Sequence, residues 1–452
     1  MSGPIVVVGG GLSGLTVAEA LIAKGRDVKV LESAERPGGP IQTLDEDGFQ
    51  LEAGPQAFLD RDGSIRTLAH RLGLEMSLRP ADPAANRRYV YTRGVLRELP
   101  KSPPGFLTSK VLPLRGRLRA LLEPFTLPTL PEEDEALGPF MRRHLGDEAT
   151  AILVDAVQTG TWAGDMEKLS VRAAFPRLWE LEREHRSLAL GLWRQRKEAK
   201  LLPGPGGTPS GRLATFGGGL QSLVNTLAMR LGSKLHTRAQ AVALTRSGAG
   251  FRIELDSGGA LEAEHVVLAT PASVSARLLR PLSPGIADTL EAIPYVPVAT
   301  VHLGFAPGEA PPLEGFGFLV PNREGRPLLG TIFSSSAFPF RAPAGATLLT
   351  TMLGGAHRPE QLALSEDALI ALAQRELGQI LDLRAEPIVM RAQRFPRGIP
   401  QYHVGHRARI ARLHAGVAAL GSISLIGNAY DGVGLADCVR NATELAQRLA
   451  ES

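Results

Sequence analysis

A single cysteine, Cys438, in 452 residues excludes an internal disulfide and any cysteine-built metal cluster, and fits a reducing compartment. The ten histidines do not recur at metal-ligand spacings, and no Ser/His/Asp or Cys/His grouping marks nucleophilic catalysis, so no metal is expected. No apolar run reaches the roughly eighteen residues that would span a bilayer. The excess of one sign of charge is also small. Lys and Arg number 50 against 46 Asp and Glu, a net +4 that on this length implies no nucleic-acid partner. The N-terminus leads directly into apolar strand residues, so no signal or transit segment is expected, and the expected location is the cytoplasm.

What is plentiful is glycine, 50 residues, and its placement is informative. Ile5 to Val8 form a short apolar run followed by Gly9, Gly10, Gly11, Leu12, Ser13 and Gly14, then a helical pattern through Leu15, Ala18, Leu21 and Ile22. Val28 to Leu31 read as a second strand ending at Glu32 and Ser33. This is the dinucleotide fingerprint: Gly9 for a tight turn, Gly11 for backbone approach to a pyrophosphate, Gly14 for helix against strand. The helix N-terminus supplies N–H groups for the anion, and Glu32, eighteen residues beyond Gly14, is placed to accept from ribose hydroxyls.

Next come Arg36, Gly38, Gly39 and Pro40, where paired glycines let backbone pass close to a ligand and the arginine either faces a phosphate or anchors its own loop. A short strand ends in the turn Gly54, Pro55, Gln56, Ala57. From Arg87 to Arg119 nine basic residues face one acid, Glu98, among leucines and prolines. Such a segment can suit an anionic lipid surface, while a solvated basic face over core leucines is the more common reading of such a run. Helical patterns follow over 137–145, 148–157 and 175–200, then a Pro/Gly linker over 202–209. Phe216 to Leu223 open a helix to about Leu231, and His265 to Leu268 form a buried strand returning to the first sheet. Residues 294–355 read as antiparallel strands, and Ser365 caps a helix with an apolar face through Leu377. Finally a strand ends at Gly427, and the turn through Asn428, Val433, Gly434 and Leu435 starts the last helix, a second anion-ready terminus.

The arginine-glycine-glycine run at 36–39 behind the dinucleotide unit resembles the second flavin signature of the monoamine oxidase and phytoene desaturase superfamily, which implies FAD. More narrowly, Thr159 to Asp165, Gly315 to Pro321, Met352 to Gly355 and Ile399 to His406 resemble blocks of the oxygen-dependent protoporphyrinogen oxidases, and the likeness spans Val6 to about Leu449. That resemblance implies six-electron oxidation of a porphyrinogen through FAD, with oxygen as acceptor and hydrogen peroxide released. It implies a flavin cradle of Gly9 to Gly14, Glu32, Ser33, Pro40, Gly54 to Ala57, Val242, Asn428 and Val433 to Leu435. It also implies Arg87 as partner of a substrate propionate, with Arg88 able to substitute, Leu319, Ile332 and Met352 as apolar walls, and Gly160 against the reacting ring. Gln56-Ala57 and Pro40 depart from the usual residues, which leaves backbone contacts there. His403 and His406 are expected to be structural partners of the Tyr402 turn.

The expected fold is mixed α/β: a Rossmann-type FAD region from 1–85, 208–280 and 402–452, a helical insertion at 95–200 that could face a membrane, and a mixed-sheet substrate region from 86–94 and 281–401. Coproporphyrinogen III is the rival substrate. Amine oxidation is disfavoured, because Cys438 falls inside the last helix and Tyr430 is the only aromatic of the final turn. A non-catalytic lipid carrier could share the fold but would bind no flavin. A homodimer and a peripheral membrane surface are both compatible with the sequence.

Overall fold

The structure is a computed structural model that describes residues 3–126, 133–201 and 213–451. The linker expected at 202–209 lies outside them, as does the start of the returning segment at 208–212.

Ile5–Val8 is fully buried and β-branched, and such a strand belongs at the middle of a parallel sheet. It lies there, in the order Leu235–His236, Val28–Leu31, Ile5–Val8, His265–Leu268, Ile423–Leu425, all parallel. The alternation of the strands divides the core in two. Ile5, Val7, Val28 and Val30 face a layer of four helices, Leu12–Ile22, Ser64–Leu72, Gln221–Leu231 and Leu435–Glu451. Val6, Val8, Leu31 and Leu268 face the three-stranded sheet Ala241–Ser247, Gly250–Leu255 and Ala260–Ala263, with helices Ala272–Leu279, Pro284–Glu291 and His406–Ala419. The chain therefore enters this sheet three times, as the glycine turns suggested.

The second sheet has seven strands, in the order Val389–Pro400, Tyr295–Phe305, Thr347–Gly354, Leu328–Phe333, Gly317–Leu319, Arg88–Thr92, Val95–Glu98. Its pairs are antiparallel except Gly317–Leu319 with Arg88–Thr92. One face packs under helix Glu366–Leu381, whose N-cap Ser365 hydroxyl accepts from the Ala368 N–H. Two expected boundaries move. Val95–Glu98, assigned to the insertion, is the edge of this sheet, because a hairpin turn at Arg93-Gly94 pairs it with Arg88–Thr92. Pro284–Glu291, assigned to the substrate region, buries Ala287 and Leu290 in the core of the first sheet.

The insertion is helical from Pro103–Thr108 to Leu188–Leu201. The single helix expected over 175–200 is two, Pro176–His185 and Leu188–Leu201. The chain breaks at Arg186, in the left-handed region with φ +61°, and Ser187. A buried carboxylate explains the break. Glu123 takes the Ser187 hydroxyl and the Leu188 and Ala189 N–H groups, which caps the second helix from another element. The same carboxylate meets His144 at 2.9 Å, and His144 meets Glu182 at 2.9 Å on its other nitrogen.

Candidate flavin and substrate site

The glycines of the first turn divide by what surrounds them. A Cβ on Gly14 would overlap the Gly9 carbonyl oxygen, and one on Gly9, at φ +108°, would lie 2.6 Å from the Ala269 carbonyl oxygen. These two positions are glycine for packing. A Cβ on Gly11 meets nothing within 4 Å. Gly11 is also the N-cap of Leu12–Ile22 and offers no side chain to the first N–H groups of that helix. Open space in front of uncapped amides fits a pyrophosphate. Leu12 and Ser13 are buried, with Leu12 in the core, so they contribute backbone only.

Glu32 stands beside this opening. One of its oxygens accepts the Gly10 N–H at 2.7 Å and the other the Ala34 N–H at 2.8 Å. The Ser33 hydroxyl lies 3.3 Å from the second oxygen. The carboxylate is fixed in orientation while keeping lone pairs for ribose hydroxyls. The strand leading to Val242 passes close by, since the Ala239 N–H donates to the Glu32 carbonyl. Val242 itself is exposed where the register shifts between Ala241 and Ala243.

Arg36 takes the anchoring role and not the phosphate one. Its guanidinium donates to the carbonyls of Pro37, Gly39 and Ile41 and to the Gln42 side chain. That holds Gly38 and Gly39, at φ +107° and +57°, against the first turn, where the Gly38 N–H donates to the Gly10 carbonyl. Gly54 is packed without room for a Cβ, because one there would overlap the carbonyl of Pro40, which is itself exposed. Gln56 folds onto its own turn through the Glu52 and Gly54 carbonyls, leaving Pro55 and Ala57 half-buried beside it.

At the far end, Gly427 has φ +137° and open space where a Cβ would be, so the last turn also presents backbone. The Ile399 to His406 run holds this turn in place. The Tyr402 hydroxyl donates to the Asn428 carbonyl at 2.7 Å, and His406 Nε2 donates to the Tyr430 carbonyl at 2.9 Å. Tyr402 stacks on His406 with centroids 3.9 Å apart. Burial holds the His406 imidazole down at about 4, so it is neutral and the Nε2 proton serves that carbonyl. His403 bridges Leu169 of the insertion, and Gln401 Nε2 donates to the Trp162 carbonyl. This run ties three parts of the chain together, and its histidines are structural, as anticipated. Asp437 caps the last helix by accepting the Gly434 N–H, with Val433 packed beside Tyr402 and Leu435 beside the first core.

The substrate residues converge by register. Leu319 is opposite Gly330, Gly330 opposite Met352, and Met352 opposite Thr300. Gly317 is opposite Ile332 in the adjacent row. Paired positions share a face, so Leu319, Ile332 and Met352 line one surface with Gly330 as a bare floor. The Thr300 hydroxyl donates to the Ala53 carbonyl at 2.7 Å, so this surface abuts the Gly54 turn. Gly160 reaches it from the insertion. A Cβ there would meet Leu319 Cδ2 at 2.8 Å.

Arg87 is not on that surface. It lies over Tyr89, on the opposite face, and is paired with Glu98 at 3.2 Å and with Glu314. Alternation along the strand turns the next residue inward. Arg88 is in register with Gly317 and Val90 with Leu319, so Arg88 shares the face of Leu319 and Ile332. Its guanidinium lies 5.4 Å from the Phe316 ring and has no carboxylate partner among the described residues. Of the two arginines it is therefore Arg88, and not Arg87, that lies on the apolar face, for a reason of strand parity.

The residue that sequence reasoning missed is Arg341, 1% exposed. It donates to the Gln56 carbonyl at 2.6 Å and reaches Glu52 at 3.5 Å and Thr215 at 3.3 Å, over the face of Phe338. Burial lowers it to about 10, opposed by Glu52, so it stays charged. Burial raises Glu52 in turn, against Arg341, the Leu220 N–H and the Thr43 hydroxyl. A guanidinium from the substrate region thus holds the cofactor turn. The one available signal was Glu52 itself, a lone acid inside the apolar strand Phe49–Glu52.

An uncapped glycine turn, a second glycine turn at a C-terminal helix and an apolar sheet face across from both define an FAD-binding oxidoreductase. The family described as flavin containing amine oxidoreductase matches residues 12–450, and this chain belongs to it. A chloroplastic protoporphyrinogen oxidase of Nicotiana tabacum is 35% identical over 98% of this chain and 85% of its own length. A coproporphyrinogen III oxidase of Bacillus subtilis (strain 168) is 32% identical over 96% of this chain and 95% of its own, and the Homo sapiens protoporphyrinogen oxidase 31% over 99% and 98%. A crystal structure from Exiguobacterium sp. 255-15, provisionally called a protoporphyrinogen oxidase, superposes with TM-score 0.88 at 27% identity, covering 100% of this chain and 99% of that one.

FAD is the cofactor, and the open backbone at Gly11 and Gly427 with the fixed carboxylate of Glu32 fits it. Bound flavin supplies the two-electron acceptor chemistry. The amides at Gly11 and Gly427 would hold its pyrophosphate, Glu32 would take its ribose hydroxyls, and the apolar sheet face would lie beside the ring.

Proposed function

We propose that the enzyme oxidises protoporphyrinogen IX to protoporphyrin IX, removing six electrons in three rounds, with three molecules of oxygen reduced to hydrogen peroxide. The observation that carries the reading is the face itself: Leu319, Ile332 and Met352 over the glycine floor of Gly330, with Gly160 opposite and one unpaired guanidinium, Arg88. A flat apolar macrocycle with carboxylates at its rim suits that composition. No aromatic side chain stands at these paired positions, which disfavours the aromatic-flanked site of an amine oxidase. The names of the relatives support a porphyrinogen. Coproporphyrinogen III, which carries two more carboxylates, is the rival substrate and the one in the name of the Bacillus subtilis relative.

Oxygen uptake with the two porphyrinogens side by side tests the reading. The expected result is a higher kcat/KM for protoporphyrinogen IX, and the reverse preference would overturn it.

We propose further that the insertion rests on a membrane surface. Leu114, Leu118, Leu122 and Phe125 are exposed, Phe125 by 81%, beside Lys101, Lys110 and Arg115. Leu114 and Leu118 are four residues apart on the helix Leu114–Leu121, so they share a face, and Leu122 continues it. Among the described residues no helix is long and apolar enough to cross the bilayer, so the attachment is peripheral. Several of the nine basic residues are spent internally: Arg93, Arg117 and Arg119 donate to backbone carbonyls, and Arg87 is paired with Glu98.

A further inference from the structure

Beside that apolar surface the structure holds a cleft that the flavin chemistry does not use. It lies between the edge strand Val95–Glu98 and the helix Pro103–Thr108 with the segment to Val111, and its volume is about 550 Å³. The packed cluster of Val90, Val111 and Ile152 closes its inner side toward Leu319, so it is not an arm of the substrate face. Three cations line it, Arg97, Lys101 and Lys110, over the apolar Leu99 and Val111. Its one acid, Glu98, is engaged by Arg87 at 3.2 Å and by Lys101 at 3.8 Å. Three cations against one acid that is already engaged leave the cleft with an excess of positive charge, which suits an anion.

We propose that this cleft seats the phosphate of one anionic phospholipid headgroup. The committed source is lipid and not free phosphate, because the cleft opens beside exposed hydrocarbon. Leu107 borders it, and the Arg117 guanidinium binds the Leu107 carbonyl, which holds the leucine-bearing helix Leu114–Leu121 alongside. A headgroup in the cleft places its acyl chains against Leu107, Leu114 and Leu118. The enzyme then distinguishes anionic from neutral bilayers at a defined site and not by diffuse charge alone. This inference rests on the membrane reading above.

The test is co-sedimentation of the FAD-loaded full chain with vesicles of phosphatidylcholine alone and of phosphatidylcholine with phosphatidylglycerol, at moderate salt. The wild type is expected to bind the mixed vesicles at least about tenfold more tightly, given the attraction of each basic residue to an anionic surface. Arg97→Gln should remove most of that preference, and so should the double variant Lys101→Gln with Lys110→Gln, whose exposed side chains carry no folding risk. Arg115→Gln, an exposed arginine on the same surface outside the cleft, should change it about fivefold at most. Equal losses for Arg97→Gln and Arg115→Gln would mean diffuse attraction and would overturn the seat while leaving the membrane reading intact. Wild type that binds neither vesicle would overturn both. Calorimetric saturation by micromolar inorganic phosphate without vesicles would assign the cleft to a soluble anion instead.

Discussion

The cofactor cradle and the substrate face are built in opposite ways. The cradle is made of backbone: Gly9, Gly11 and Gly14 within one turn, Gly38 and Gly39 in the next, Gly427 in the last, each doing its work through a carbonyl, an amide or an empty Cβ position. The substrate face is made of side chains set by strand register, Leu319, Ile332, Met352 and Arg88, from segments far apart in sequence. Local spacing suffices for the first. The second depends on which way each strand is turned, and a shift of one residue reverses every side chain.

Arg341 joins the two, so removing it should have the largest effect. Arg341→Met leaves Glu52 buried without its cation and should cost about 3–5 kcal/mol in unfolding free energy, with loosened flavin. Chemical denaturation and the flavin visible spectrum of the folded fraction check both parts. An unchanged midpoint would show that the two regions are not coupled there.

Within the cradle, Gly14 and Gly11 should separate packing from binding. Gly14→Ala forces a methyl into the Gly9 carbonyl and should destabilise the fold by about 3 kcal/mol. Gly11→Ala has room for its methyl and should keep the stability of the flavin-free chain while losing FAD, measured as bound flavin per protein. If both variants fail alike, Gly11 is also a packing residue.

On the substrate face, Arg88→Ala should raise KM for the porphyrinogen about 10–100-fold, the worth of a charge-assisted hydrogen bond, with kcat less affected. Arg87→Ala should leave KM within error, since it lies on the far side of the strand. The opposite ranking would restore the role to Arg87 and contradict the strand parity.

The effect on stability of replacing one buried histidine is expected only at low pH. Burial holds His302 at about 3 and His406 and His265 at about 4, all below the ordinary 6.5. The unfolded chain binds these protons more readily, so stability is full above about pH 6.5 and declines as pH falls toward 4. His406→Gln keeps a donor for the Tyr430 carbonyl and cannot titrate, so its melting temperature should fall less steeply over that window. A slope identical to wild type would mean that His406 is already accessible to protons.

These contrasts explain what could be read early. The parallel sheet, the three visits to it, the helices at Leu12 and Leu435 and the antiparallel strands after 294 all follow from runs of β-branched residues and glycine breaks. The long helix expected over 175–200 was two, because a carboxylate from Glu123, more than sixty residues away, caps the second one; amphipathic periodicity has no sign of such a cap. Val95–Glu98 was missed as a strand because its apolar content is low, and it is an edge strand that needs only one neighbour.

The sequence by itself determined the tool, an adenine-dinucleotide cradle with a flavin signature. Backbone turns are short-range objects, and the residues that permit them sit within a few positions of one another. The tertiary structure decided that Arg36 anchors its loop, that Arg88 and not Arg87 lies on the apolar sheet face, that Tyr402 and His406 hold the last turn, and that Arg341 reaches across to Gln56. Each of those is a contact between distant segments, fixed by sheet register and by the need of buried polar groups for partners.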